Sequence, residues 1–251
     1  MAEILVSGLR VIDAMVSSGV PALNDINPAP PAPREHRGLI PIERPQTLGE
    51  ELANALSHGV ALVAALVGAP VLIATAVAKN NTAMVIGGSI LAGAMILMYL
   101  SSTVYHALPP GRAKNWFRVC DHAAIFLLIA GTYTPITLGV LKGAWGWSLL
   151  GAVWVLAVVG IVLKLVGGIK RPWLSTGLYL LMGWLVLFAI RPLWLVMPLT
   201  GLLWLAAGGL AYTIGTAFYA ADERVKYAHF VWHLWVMAGT GCHFFAVLTS
   251  V

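Results

Sequence analysis

Residues 83–107 read AMVIGGSILAGAMILMYLSSTVYHA and place two polar side chains, Ser102 and His106, at the end of a long apolar run. The run has about the 20 residues that an α-helix needs to cross a hydrocarbon core of about 30 Å. A transmembrane β-strand would alternate apolar and polar residues over about 10 positions, and this stretch does not. The segment therefore predicts a membrane-spanning helix with polar groups near one end.

Six further runs of the same kind predict an all-α integral membrane protein, a bundle of seven transmembrane helices. Hydrophobic residues make up 59% of the 251 residues and charged residues only 10%, whereas about a quarter of the residues in a soluble domain are charged. We predict a transmembrane domain over residues 48–251. Its predicted spans are residues 51–78, 83–107, 121–141, 146–166, 173–190, 193–219 and 228–251.

The distribution of Lys and Arg predicts the orientation of the bundle. With seven spans and alternating sides, 12 of the 15 basic residues fall before residue 51 or in the second, fourth and sixth connectors. The positive-inside rule then places the N-terminus in the cytoplasm and the C-terminus outside. The net charge of +5 does not indicate nucleic acid, because the basic residues are spread over connectors and form no single patch.

The residues before the first span differ in kind, and we predict a tail over residues 1–47. Prolines recur through residues 28–45, which predicts an extended linker. Apolar residues at helical spacing over residues 4–16 leave open a short amphipathic helix at the membrane surface.

Five distinctive side chains share one level of the predicted bundle. Ser102 and His106 end the second span, Asp121 begins the third, and His229 and His233 begin the seventh, all on the cytoplasmic side. Residues four apart lie on one face of a helix, so two imidazoles there can hold one ion. Three histidines with an open fourth position are typical of a catalytic zinc site. Any one of these histidines alone is most often a hydrogen bonder between helices or an interface residue; their joint placement favours a metal.

Three other polar residues could support that site. Glu51, Asn54 and His58 lie on one stripe of the first helix, either as a second shell that orients the metal ligands or as a polar helix start. His122 points about 100° away from Asp121 around its helix and is expected to be structural. His243 lies about 15 Å along the helix from His233, so we expect it to be a packing residue.

Glycine and proline patterns describe the scaffold. Glycine pairs such as Gly87-Gly88 and Gly208-Gly209 are expected to let helices approach closely. Pro135 and Pro198 fall inside predicted spans and are expected to bend the third and sixth helices.

Together these motifs resemble the haemolysin III family, the bacterial branch of the progestin and adipoQ receptors. The resemblance covers roughly residues 48–251. It rests on four motifs in order, Glu51-x-x-Asn54-x-x-Ser57-His58, Ser102-x-x-x-His106, Asp121-His122 and His229-x-x-x-His233.

The resemblance implies a seven-helix zinc protein with its N-terminus inside. Adiponectin receptors hold zinc through three histidines that match His106, His229 and His233. An aspartate matching Asp121 is linked to the zinc through water, and a serine matching Ser102 lies close by. Alkaline ceramidases share the constellation and hydrolyse lipid amides. By similarity, we expect a zinc amidase in the bacterial inner membrane, with membrane lipids carrying acyl chains as its partners and no protein partner implied.

In the expected reaction, Asp121 takes a proton from a water activated by zinc, and Ser102 stabilises the oxyanion formed from a lipid amide. One alternative is a regulator or receptor of membrane lipid homeostasis with a structural zinc. Another is a pore-forming cytolysin, although polar residues clustered on one side do not line a path through the bilayer.

Overall fold

The structure, a computed structural model, describes residues 44–168 and 172–251. The predicted amphipathic helix at residues 4–16 and nearly all of the proline-rich segment lie outside the described residues, as do two of the basic residues of the fourth connector, Lys170 and Arg171.

Seven apolar helices, each long enough to cross a membrane, make up nearly all of the described chain. The prediction of an all-α, seven-helix membrane protein is thereby confirmed, and no strand occurs in the described ranges. Many large apolar side chains, among them Leu56, Val63 and Val67, are exposed on the outer surface, as a surface facing lipid requires. From first to seventh, the helices are Leu48–Ala78, Thr82–Ala107, Arg112–Leu141, Gly143–Leu165, Trp173–Val196, Leu199–Ala221 and Ala228–Leu248.

The third helix begins at Arg112, nine residues before the predicted start at residue 121. The predicted start followed the apolar run alone and assigned the basic residues before it to a connector. Lys114 lies in the first turn of the helix, and its Nζ donates to the carbonyls of Tyr105 and Leu108 at 2.9 and 3.1 Å. These carbonyls lie at the end of the second helix, where a cation is favourable. Asp121 therefore lies more than two turns inside the third helix.

The boundary between the fifth and sixth helices also differs from the prediction. The fifth helix runs on to Val196, with a 3₁₀ segment at Leu185–Ala189, and the sixth begins at Leu199. Pro198 therefore precedes the sixth helix and does not bend it. Proline is well placed there because the first helical positions need no N–H donor. At Pro135 the third helix changes from α-helical to π-helical geometry over Ile136–Leu141.

Glycines let the helices approach closely, as the sequence predicted. A Cβ on Gly87 of the second helix would lie 2.4 Å from the Cα of Pro135 in the third. A Cβ on Gly160 of the fourth helix would lie 2.3 Å from the ring of Phe126. Only glycine fits at such contacts, which are common between helices in membranes.

Candidate metal centre

Three histidines converge at one end of the bundle. His106 lies at the end of the second helix, and His229 and His233 lie in the first two turns of the seventh. All three are buried, and one potential ligand atom from each lies within 4.8 Å of the others. Their ring centroids are 4.8–5.1 Å apart. The structure thus brings together the three residues predicted as metal ligands.

Two of the three rings are held by carboxylates. His106 donates from Nδ1 to Glu51 Oε2 at 2.7 Å, and His229 donates from Nδ1 to Asp222 Oδ2 at 2.9 Å. An ionised carboxylate only accepts hydrogen bonds, so the hydrogen of each neutral ring is on Nδ1. The lone pair needed to bind a metal is therefore on Nε2.

The third ring, that of His233, is held by a serine hydroxyl, and its hydrogen is again on Nδ1. His233 Nδ1 lies 3.2 Å from Ser57 Oγ, and that hydroxyl donates its hydrogen to the carbonyl of Asn54 at 2.9 Å. A serine hydroxyl has one hydrogen, so Ser57 Oγ accepts from His233. All three histidines thus have Nδ1 as donor and Nε2 as the remaining ligand atom.

The donor set fits a metal ion. Nε2 of His106 and Nε2 of His233 are buried and have no hydrogen-bond partner in the described residues. An unpaired buried polar atom is costly, and a bound cation removes that cost. Imidazoles whose other nitrogen donates to a carboxylate or hydroxyl are the usual ligands of zinc.

His58 and Ser102 lie beside the three histidines. The His58 ring stacks on the His233 ring, with centroids 3.6 Å apart and an interplanar angle of 4°. His58 Nδ1 and Ser102 Oγ form a hydrogen bond of 2.7 Å, and both side chains are buried. Ser102 lies on the same face of the second helix as His106, and its hydroxyl contacts His58 at the edge of the cluster.

Glu51 and Asn54, predicted with His58 as supporting residues, contact the cluster in different ways. Glu51 joins His106 to Lys114, whose Nζ lies 2.9 Å from Glu51 Oε1. Asn54 acts through its backbone carbonyl, which accepts from Ser57, while its side-chain amide donates to Gln46.

Asp121 and His122 have separate surroundings. Asp121 is buried and, with His58, lines a cavity of about 100 Å³ between the helices. His122 is buried too, and its carbonyl accepts from the hydroxyl of Tyr179 at 2.8 Å. The structure thus places Asp121 on the cavity wall.

A short segment before the first helix contacts Asp222, the partner of His229 that the sequence analysis did not predict. Arg44 donates to Glu50 Oε1 at 2.6 Å and to the carbonyl of Asp222 at 3.1 Å, and Gln46 donates to Asp222 Oδ2 at 3.3 Å. Glu50 also accepts from the N–H of Tyr227 at 3.0 Å. The hydrogen bond to Glu50 raises the pKa of Arg44. The signal in the sequence was weak, one of two adjacent acids in a charged connector, seven residues before His229.

The fold and this site define a class, the seven-helix integral membrane proteins with a buried cluster of three histidines from the second and seventh helices. Residues 46–244 match a protein-family model described as Haemolysin-III related. The chain belongs to the haemolysin III family.

Relatives in bacteria and mammals are consistent with that assignment. The chain is 39% identical to a hemolysin-3 homolog of Bacillus subtilis (strain 168) over 202 residues, covering 80% of this chain and 94% of that protein. It is 37% identical to hemolysin-3 of Bacillus cereus over 206 residues, covering 82% and 94%. The human monocyte to macrophage differentiation factor is 27% identical over 212 residues, covering 80% and 84%. No solved structure matches the chain.

Proposed function

We propose that this protein is a zinc-dependent hydrolase of lipid amides. The observation that carries the proposal is the convergence of three buried histidines, each with Nδ1 within hydrogen-bond distance of a carboxylate or hydroxyl oxygen. We place the protein in the bacterial inner membrane, with its N-terminus in the cytoplasm and the metal centre near the cytoplasmic leaflet. That orientation rests on the distribution of Lys and Arg.

His106, His229 and His233 would hold the ion through Nε2. Bound there with an open position, zinc would supply a Lewis acid that brings a water to a pKa near 7. Asp121, on the cavity wall, is the proposed proton acceptor. Ser102 Oγ can accept from His58 Nδ1 and still donate its own hydrogen to the oxyanion of a lipid amide.

The interior of the bundle suits an acyl chain. The cavity at Asp121 and His58 adjoins a second one of about 230 Å³ that extends toward the opposite end of the bundle. Largely apolar walls favour a lipid tail over a hydrated ion, which argues against a pore. Six wall residues belong to both cavities: Thr132, Tyr133, Gly183, Trp184, Gly209 and His243.

The test is turnover combined with metal content. Detergent-purified protein loaded with zinc should hydrolyse at least one fluorescent lipid amide, and a chelator should stop it. Asp121→Asn should lose about 10²- to 10⁴-fold in kcat, the usual value of a general base, while keeping its zinc. Zinc-loaded protein that hydrolyses none of a panel of acyl amides would contradict the proposal.

A structural zinc is the second candidate, and one observation favours it. The three histidines come from the second and seventh helices, so a bound ion would join two helices that are far apart in the sequence. Chelation would then lower the thermal midpoint of a protein that has no hydrolase activity. A regulator of membrane lipid homeostasis is the corresponding function.

A further inference from the structure

His243, on the seventh helix, is a buried histidine with one uncommitted nitrogen. Its Nδ1 lies 2.8 Å from the carbonyl of Gly239. A carbonyl only accepts, so the hydrogen of the neutral ring is on Nδ1 and Nε2 is an acceptor. No group of the described residues pairs with Nε2. An acceptor left unpaired at membrane depth is costly, and polar groups there are usually functional.

The neighbouring helix is built to hold this ring in place. A Cβ on Gly208 would lie 2.3 Å from His243 Nδ1, so only glycine leaves room for the imidazole. The ring of Tyr212, one turn along the same sixth helix, lies 5.3 Å from the His243 ring between centroids. His243 therefore packs as expected, and its ring is confined between two helices.

His243 stands where the two internal cavities meet. It lines the first cavity, which also reaches His58 and Asp121, and it lines the second, which ends among Trp194 and Leu199. A chain-like molecule with its head at the metal centre would pass His243 on its way through the bundle.

The hydroxyl groups of the described cavity walls are already engaged. The hydroxyl of Tyr133 donates to the carbonyl of Gly183 at 2.7 Å, and that of Tyr212 pairs with Thr240 at 2.8 Å. The other wall hydroxyls also donate to backbone carbonyls, so among the described wall side chains away from the metal centre His243 Nε2 is the acceptor that makes no hydrogen bond. These hydroxyls belong to Thr132, Tyr179, Thr213 and Thr216.

We propose that this cavity binds an alkyl chain carrying one hydroxyl group, and that His243 Nε2 accepts the hydrogen bond from that hydroxyl. Ten residues separate His233 from His243, so the hydroxyl lies roughly 15 Å from the three-histidine cluster. That distance corresponds to the middle of a long fatty chain and excludes a hydroxyl next to the head group. The placement of the head at the cluster rests on the function proposed above, whereas the hydrogen bond does not.

Binding of a positional series tests the inference directly. Stearate and its mono-hydroxylated forms, with the hydroxyl near the head, at mid-chain or at the far end, are titrated into zinc-loaded protein in nanodiscs. The mid-chain form should bind roughly three- to tenfold more tightly than stearate, the value of one hydrogen bond, and the other two should gain little. His243→Phe keeps an aromatic ring of similar size and should bind all four alike. The corresponding primary amides, measured in Asp121→Asn, distinguish a free fatty acid from the acyl group of an amide as the source of the chain.

Two results would overturn the inference. One is wild-type protein that binds the mid-chain form no better than stearate, which needs no variant to fold. The other is a preference that persists unchanged in His243→Phe. Because the readout is affinity, a hydroxyl preference without turnover would support this site and contradict the hydrolase, and turnover without the preference would do the reverse.

Discussion

One hydrogen on each imidazole decides whether the three histidines can bind an ion together. Glu51, Asp222 and Ser57 each accept from an Nδ1, which places the lone pair of each neutral ring on Nε2. If the hydrogen of a neutral imidazole moved from Nδ1 to Nε2, Nε2 would have no lone pair with which to bind a metal. The acceptors on Nδ1 are thus as important to the site as the histidines.

Removal of the Asp222 carboxylate should therefore weaken metal binding without removing a ligand. We expect Asp222→Ala to lower zinc affinity by about 10- to 100-fold, as losses of such partners do, measured by competition with a chromogenic chelator. Glu223→Ala is the matched control, since Glu223 is the exposed neighbouring acid. Equal affinity in the two variants would mean that Asp222 does not orient His229.

At this scale the sequence could predict pairs within a helix but not pairs across the fold. The spacing of His229 and His233 follows from the helix period alone. The contact of Arg44 with Asp222 spans 178 positions, and nothing in the local pattern of either segment indicates it. Ser102 was predicted from its spacing to His106, yet its hydrogen bond is with His58, which lies on another helix.

Among the elements, the second and third helices make their tightest contact at a glycine. The contact places Gly87 against the backbone of Pro135, where a proline ring and no N–H face the neighbouring helix. We expect Gly87→Ala to force these helices apart and to lower the free energy of unfolding by about 1–3 kcal/mol, the usual cost of overpacking.

The matched control is Gly93→Ala on the same helix, because a Cβ there meets nothing within 4 Å. It should leave stability unchanged or raise it slightly, since alanine favours the helix over glycine. Unfolding in a mixed-micelle titration measures both variants. Similar stability of the two would show that the second helix shifts at no cost.

The segment before the first helix also contributes to the candidate metal centre. Through Arg44 and Gln46, together with Glu50 in the first turn of that helix, it holds the connector that carries Asp222 and leads into the seventh helix. We expect Arg44→Gln to lower zinc affinity by less than Asp222→Ala does, because it loosens the carboxylate without removing it.

Arg224→Gln is the control for charge, since Arg224 is exposed in the same connector. Chelator competition with both variants gives the comparison, and Arg44→Lys should restore part of the affinity by keeping one ion pair. If Arg44→Gln matched Arg224→Gln, the segment would have no role in metal binding.

Element boundaries were less predictable than the elements themselves. Residues 112–120 include three basic side chains, and hydropathy alone could not reveal that Lys114 caps the end of the second helix. The π-helical segment after Pro135 packs against the second and fourth helices. Contacts between helices cannot be read from a single sequence.

For the whole molecule, the helix count and the family followed from the sequence because both rest on local properties. Each span has the apolar length that the bilayer demands, and the four polar motifs fall at the ends of particular spans. The internal cavities could not be predicted, since their walls combine residues from all seven helices. The supply of Nδ1 acceptors from both ends of the chain likewise appears only in the folded bundle.

The central claim is that one ion is bound by His106, His229 and His233 together, joining the second helix to the seventh. X-ray absorption at the zinc edge of purified, zinc-loaded protein tests it most directly. We expect three imidazole nitrogens at about 2.0–2.1 Å and an additional light-atom ligand. That pattern should be lost in each single alanine variant of the three and kept in His243→Phe. Sulfur at about 2.3 Å, from Cys120 or Cys242, or an unchanged spectrum in His229→Ala, would contradict the claim.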